Sequence, residues 1–224
     1  MNDSNPDQHA PPNRLRITEI FCSLQGESRT TGWPTTFIRL TGCPLRCGYC
    51  DTAYAFKGGE WLSLSEILQR VDEIGVSHVT VTGGEPLAQK GSLELLAALC
   101  DRDYQVSLET SGALDISGVD PRVARVVDIK TPGSLERDKN LWENLHDLKP
   151  SDQLKFVICD RDDYQWSKQL MKEHQLHQRC EVLFSTAYGQ LQATELAEWI
   201  VEDRLPVRFQ IQLHKLLWGE KPGV

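Results

Sequence analysis

An α/β fold built on a parallel sheet with crossover helices is predicted by three observations on the 224-residue sequence. Short β-branched and aromatic runs alternate with helical patterns, several runs end in Gly, Thr or Ser, and four polar or Gly-rich stretches follow strand candidates directly. In order, the strand candidates are LRITEIF (15–21), TTFIRL (35–40), HVTVTG (78–83), QVSLET (105–110), RVVDIK (125–130), LKFVIC (154–159), CEVLFS (180–185) and RFQIQL (208–213). The first helix is predicted over SLSEILQRVDEIG, because Leu64, Ile67, Leu68, Val71 and Ile74 share one face at a 3.6-residue period. Ser63-x-x-Glu66 opens it as a capping box and Gly75 is placed to stop it. Similar patterns lie in SLELLAALCDR (92–102), YQWSKQLMKEHQ (164–175) and TELAEWIVED (194–203). Residues 1–14, rich in Pro, Asn and Asp, are expected to be a mobile tail, and 15–224 a single domain.

With 40% hydrophobic and 25% charged residues the composition is that of a globular protein. A net charge of -8, from 24 Lys and Arg against 32 Asp and Glu, argues against a nucleic-acid partner, which needs a basic surface. No apolar run approaches the roughly 20 residues that span a bilayer, and the N-terminus lacks a signal-peptide core, so no membrane partner and a cytoplasmic setting are expected. Seven cysteines, odd in number and unevenly spaced, make a poor disulfide framework and suit a metal site in a reducing compartment. Cys100 and Cys159 end apolar runs and read as small core side chains.

Parallel α/β sheets place their chemistry beyond the carboxyl ends of the strands. TGCPLRCGYCDT follows TTFIRL, GGEP follows HVTVT, TSG follows QVSLE and KTPGS follows RVVDI, so four loops converge on one rim. The first holds Cys43, Cys47 and Cys50 in C-x3-C-x2-C spacing. Three soft thiolates on a compact loop fit a [4Fe-4S] cluster, in which a fourth iron corner stays open to a substrate or cofactor. The alternative is structural zinc, which closes a tetrahedron with four ligands; Cys22 folding back would supply the fourth.

The cysteine loop together with GGEP (Gly83 to Pro86) resembles the radical S-adenosylmethionine superfamily, in which the open iron chelates S-adenosylmethionine and an electron splits it to a 5'-deoxyadenosyl radical. SLQGES (23–28), FIRLTGCPLRCGYCDT, LETSG and the terminal QLHK are similar, from about Leu15 to Lys215, to the 7-carboxy-7-deazaguanine synthase family. The resemblance implies a partial (incomplete) TIM-like barrel. It also implies conversion of 6-carboxy-5,6,7,8-tetrahydropterin to 7-carboxy-7-deazaguanine with loss of ammonia, on the route to queuosine and other 7-deazapurines. S-adenosylmethionine then serves as a regenerated cofactor. Its further implications are Mg2+, a flavodoxin or similar reductase as electron donor, and a homodimer.

Residue by residue, the resemblance places Tyr49, Asp51, Gly84, Glu85, Gly112, Asp128, Ile129 and Lys130 on S-adenosylmethionine, Thr110 on the substrate, and Thr52 on Mg2+. Leu24, Gln25, Gly26 and Glu27 supply an amide, a carboxylate and backbone groups to match the 2-amino-4-oxo edge of a pterin. Arg39 has the fork for the substrate carboxylate, and His214 completes the substrate set. Two other readings stand beside this one. A glycyl-radical activase needs a docking surface for a protein loop, and an electron carrier or sensor needs no GGEP.

Overall fold

The computed structural model describes residues 13–219, 221 and 223. The expected tail thus lies outside the described residues except for its last two, and Arg14 opens the first strand instead, paired with Ser63 and bonded to the Trp61 carbonyl at 2.9 Å. The elements are β1 (Arg14–Leu24), β2 (Pro34–Leu40), β3 (Glu60–Ser63), α1 (Leu64–Ile74), β4 (His78–Gly83), α2 (Ser92–Cys100) and β5 (Gln105–Thr110). There follow β6 (Ala124–Ile129), β7 (Gln153–Ile158), α3 (Arg161–Glu173), β8 (Glu181–Thr186), α4 (Ala193–Asp203), β9 (Arg208–Gln210) and α5 (Leu213–Trp218). They form one nine-stranded sheet in the order β3-β1-β2-β4-β5-β6-β7-β8-β9, whose edges β3 and β9 do not meet, an incomplete barrel.

From β2 onward every pairing is parallel, whereas β1 runs antiparallel to both β2 and β3. The expected parallel sheet thus runs from β2 to β9, and β1 and β3 extend it antiparallel at one edge. The link 25–33 is shorter than the dozen or more residues a parallel crossover needs, so β2 folds back on β1 as a hairpin. All four predicted helices are present, and two connections carry none: 111–123 holds no helix, and β6 is joined to β7 through short 3-10 turns. The last strand stops at Gln210, and the end of RFQIQL turns into α5. The capping box of α1 is present in both directions and Gly75 closes the helix in the left-handed region, as its sequence predicts.

Strand alternation divides the sheet into two chemistries. Val79, Val81, Leu108, Val127, Ile129, Leu154, Phe156 and Phe184 belong to the core, with Ile67 and Val71 of α1, Leu95 and Leu99 of α2, Tyr164 of α3 and Leu196 of α4. Each fully buried large side chain contributes about 1.5–3 kcal/mol, so this face carries the stability. On the alternate positions stand Thr80, Thr82, Ser107, Glu109, Asp128, Lys155 and Ser185, a polar inner face. Thr80 and Ser107 bond across neighbouring strands at 2.8 Å.

Below that face, Arg125 and Asp152 form a buried ion pair, 6% and 0% exposed. Asp152 also accepts from the Arg125 amide, and Arg125 donates to the carbonyls of Ile116 and Asp147, so the pair fixes the helix-free connections around β6. Asp152→Ala would strand a buried guanidinium, a loss expected at about 3–5 kcal/mol. Chemical denaturation measures it; a cost below about 1 kcal/mol would show that the pair does not hold these connections.

Candidate active site

A cleft of about 260 Å³ opens at the carboxyl ends of the parallel strands, over the polar inner face. The predicted Cys43, Cys47, Tyr49, Cys50, Asp51 and Thr52 line it, as do Leu24, Gln25, Gly26, Glu27 and Arg39, and so do Gly84, Thr110, Asp128, Lys130 and His214. Glu85, Gly112 and Ile129 do not line it. Ile129 lies on the core face of β6, one residue out of phase with Asp128. Gly112, with φ +72°, turns the chain after β5; its carbonyl accepts from Leu141 and Asn144, and a Cβ would lie 2.9 Å from the Asp128 carbonyl oxygen.

Glu85 is fully buried and clamps the neighbouring loop. Its carboxylate accepts from Thr110 Oγ1 at 2.9 and 3.0 Å, from the Ser111 amide at 2.7 Å and hydroxyl, and from the Leu87 amide at 3.0 Å. The glycines of GGEP are explained by the cysteine loop. Gly84 N donates to Leu40 O at 3.1 Å and Glu85 N to Gly42 O at 2.8 Å, and a Cβ on Gly84 would run into Gly42 O and come within 2.8 Å of Cys43 Cβ. The two backbones touch, which only glycine permits.

Cys22 is exposed on β1 and does not line the cleft, so it is neither a core side chain nor a fourth partner for the trio. Among the described residues no three or more His, Cys, Asp or Glu side chains are gathered around a single-ion position. Thiolates that each hold a different corner of an iron-sulfur cube stand wider than ligands of one ion, so a trio on one cleft wall fits the cluster. Burial pushes the Cys43 thiol up and the Cys47 thiol to about 11, so taking up iron releases protons. The Leu45 amide donates to Cys43 Sγ at 3.4 Å. Beside the trio, Asp128 Oδ1 and the Tyr49 hydroxyl are buried without a partner, polar atoms suited to a ligand seated in the cleft.

The cations of the cleft wall are each paired. Arg39 Nε meets Glu19 at 2.7 Å, Lys130 meets Asp128 at 2.8 Å, Lys215 meets Asp51 at 2.9 Å, and Lys155 meets Glu27. Burial pulls against charge in each case. Desolvation alone would raise the Glu27 carboxyl, but the Lys155 ammonium outweighs it and leaves the group below its usual value. Gln212 Nε2 bridges Glu27 and Asp51 at 2.7 and 3.0 Å, and His214 stands 3.9 Å from Glu27. Lys155, Glu109, Ser185 and Tyr188 also line the cleft and were missed by sequence reasoning. The available signal was period two: a lysine inside the apolar run LKFVIC must face the opposite side from Leu154 and Phe156.

Two expectations follow. Gly84→Ala should displace the cysteine loop, and iron content after anaerobic reconstitution should fall severalfold with the fold retained by circular dichroism; normal iron loading would overturn the packing account. The lowered Glu27 pKa means that its ion pair stabilises the fold above the ordinary carboxylate value of 4.5 and loses that contribution as pH falls through the folded value. The stability gap between the protein and Lys155→Met should therefore be widest near neutrality and shrink below pH 4.5, by denaturant titration at several pH values; a gap constant to pH 3 would exclude it.

The family model of the radical SAM superfamily matches residues 37–129, from β2 through β6. A 7-carboxy-7-deazaguanine synthase of Chlorobaculum tepidum is 45% identical over 208 residues, 92% of this chain and 94% of that protein. One from Koribacter versatilis is 40% identical over 226 residues, 94% of this chain and all of that protein. The crystal structure of QueE from Escherichia coli shares the fold, with a TM-score of 0.72 at 24% identity over 91% of this chain and 99% of that one. The chain is thus at least 40% identical to these two synthases over nearly their full length, and it belongs to the 7-carboxy-7-deazaguanine synthase family of the radical S-adenosylmethionine superfamily.

Proposed function

We propose that the cleft converts 6-carboxy-5,6,7,8-tetrahydropterin to 7-carboxy-7-deazaguanine with loss of ammonia. The chain is a radical S-adenosylmethionine enzyme of 7-deazapurine biosynthesis, with a [4Fe-4S] cluster and S-adenosylmethionine as its cofactors. One observation carries the reading of the site: Cys43, Cys47 and Cys50 open onto the same cleft as Gln25, Glu27 and Arg39, so cluster ligands and small-molecule recognition groups share one chamber. When bound, the cluster and S-adenosylmethionine supply one-electron cleavage and hence hydrogen abstraction.

The chain's own residues supply orientation. Cys43, Cys47 and Cys50 hold the cluster. Asp128, whose free Oδ1 is an acceptor, and the backbone at Gly84 serve S-adenosylmethionine, with Tyr49, Asp51 and Lys130 around it. Glu85, Gly112 and Ile129 act through packing. Gln25 is held by Thr80, Glu109 and the Glu27 amide, so the loop Leu24 to Glu27 presents fixed groups to the pterin edge. Arg39 takes the substrate carboxylate, while Thr110 and His214 border the same space. A protein-activating role or a purely electron-carrying cluster leaves Gln25, Glu27 and Arg39 without a task.

Mg2+ fits the charge balance. Because Arg39, Lys130, Lys155 and Lys215 each face a carboxylate, an anionic substrate finds little uncompensated positive charge. Thr52 on the rim, which donates to Asp51 at 2.9 Å and keeps its oxygen lone pairs, offers a hard ligand to an ion completed by water and substrate. The reading also includes a flavodoxin or similar reductase, required by the one-electron step, and a homodimer, to which the exposed Leu216 and Leu217 of α5 are suited. Seven unpaired thiols agree with a cytoplasmic setting, and among the described residues no helix is long and apolar enough to cross a membrane.

Anaerobically reconstituted, reduced protein should release ammonia and 7-carboxy-7-deazaguanine in equal amounts while S-adenosylmethionine is conserved. In the same assay chelation should lower the rate and Mg2+ restore it, a response lost in Thr52→Ala and largely kept in Thr52→Ser. Absence of the deazaguanine product would refute the substrate; equal turnover with and without Mg2+ would refute the metal.

A further inference from the structure

We propose that Glu19 and Tyr54 position Arg39, holding its guanidinium so that both terminal nitrogens meet the substrate carboxylate. The inference rests on the reading of Arg39 given above and adds what aims it. The register between β1 and β2 slips between Ile17, opposite Leu40, and Glu19, opposite Arg39, so β1 carries one extra residue, Thr18, at this point. Such a bulge re-aims the side chains that follow it. Without it Thr18 would stand across from Arg39; with it, Glu19 does.

Glu19 Oε1 accepts from Arg39 Nε at 2.7 Å and from the Tyr54 hydroxyl at 2.8 Å. The guanidinium carbon lies 5.9 Å from the ring centroids of both Phe21 and Tyr54, and Phe21 is itself stacked on Phe37 at 5.2 Å. Nε is therefore tied, the ring faces restrict the guanidinium plane, and among the described residues the two terminal nitrogens donate to no acceptor. Arg39 lines the cleft and Glu19 does not, so Glu19 acts through Arg39. Tyr54 lies in the 3-10 turn Ala53–Phe56, which directly follows Thr52 and the cysteine loop. The substrate anchor is thereby referenced to the cluster loop, and a terminal fork with two free N–H groups is suited to grip a carboxylate from one side.

Charge and geometry predict opposite signs for one substitution, which makes the proposal testable. Glu19 has the sign of the substrate carboxylate, so on Coulomb's law alone Glu19→Leu and Glu19→Gln should both bind substrate more tightly. Positioning predicts that they diverge. Binding to the anaerobic, cluster-loaded protein with S-adenosylmethionine present is measured for the 6-carboxylated pterin and for the same pterin without its carboxylate. Glu19→Leu should weaken the carboxylated ligand about tenfold or more and the other less than twofold, at unchanged iron content and S-adenosylmethionine affinity. Glu19→Gln, which keeps an acceptor for Nε and for the tyrosine, should recover most of the loss, and Tyr54→Phe should fall between. Tighter binding in Glu19→Leu, equal losses for both pterins, or no recovery with Glu19→Gln would overturn the positioning role. A parent protein that fails to prefer the carboxylated pterin would overturn the assignment of Arg39 itself, and the positioning with it.

Discussion

The buried Glu85 carboxylate is the constraint around which the rest of the site is arranged. A carboxyl group with no exposure and, among the described residues, no ion-pair partner survives only when its oxygens are fully bonded, and here Thr110, Ser111 and the Leu87 amide supply the donors. Charge-assisted bonds contribute about 1.5–3 kcal/mol each against a desolvation cost of several kcal/mol, so the arrangement adds little net stability and much definition. The amides of Gly84 and Glu85 meanwhile hold Leu40 and Gly42. The ends of β2, β4 and β5 are locked together by one residue, and the direction in which Cys43 leaves β2 follows from that lock.

Alternation along the strands then assigns the chemistry. One face of the sheet is apolar under the four longer helices; the other is polar and hydrogen-bonded, with Gln25, Thr80 and Ser107 linked in a chain and Glu109 held by Gln25 and Thr82. A barrel interior packed with branched aliphatic side chains would leave no chamber. The paired cations keep this chamber near neutrality, so affinity for an anion depends on where the donors point more than on bulk charge.

Much of this was legible in the sequence because its signals are local. Helix α1 announced both ends, through Ser63, Glu66 and Gly75, and the three cysteines share one short loop. What escaped was decided by distant partners or by register. The strand β3 is four residues long and exists by pairing with β1, and the antiparallel turn between β1 and β2 has no two-residue hairpin signature. Lys155 meets Glu27 across 128 residues of chain. Ile129, expected on the cofactor, turns its side chain into the core, because a strand exposes alternate residues and Asp128 takes the cleft side. Glu85 and Gly84 stand in a motif whose glycines answer to the neighbouring backbone, and only the packed loops reveal it.

The connection after β1 reaches across the open barrel: Ser28 O accepts from Gln210, Glu27 from Gln212, and Gly26 O from the Leu213 amide, contacts that span 182 and 185 residues for the first two. Long-range contacts of this kind form late, since the entropy of closing so large a loop must be met before they give anything back. The segment Leu24 to Ser28 is synthesised well before Gln210, Gln212 and Leu213, and stays unpaired with them until they follow. A nascent chain can therefore complete the core beneath the helices, strand by strand, while the groove that discriminates between ligands is still unfinished. Competence for ligand arrives as a separate event, set by the docking of Gln210, Gln212 and Leu213 on that segment.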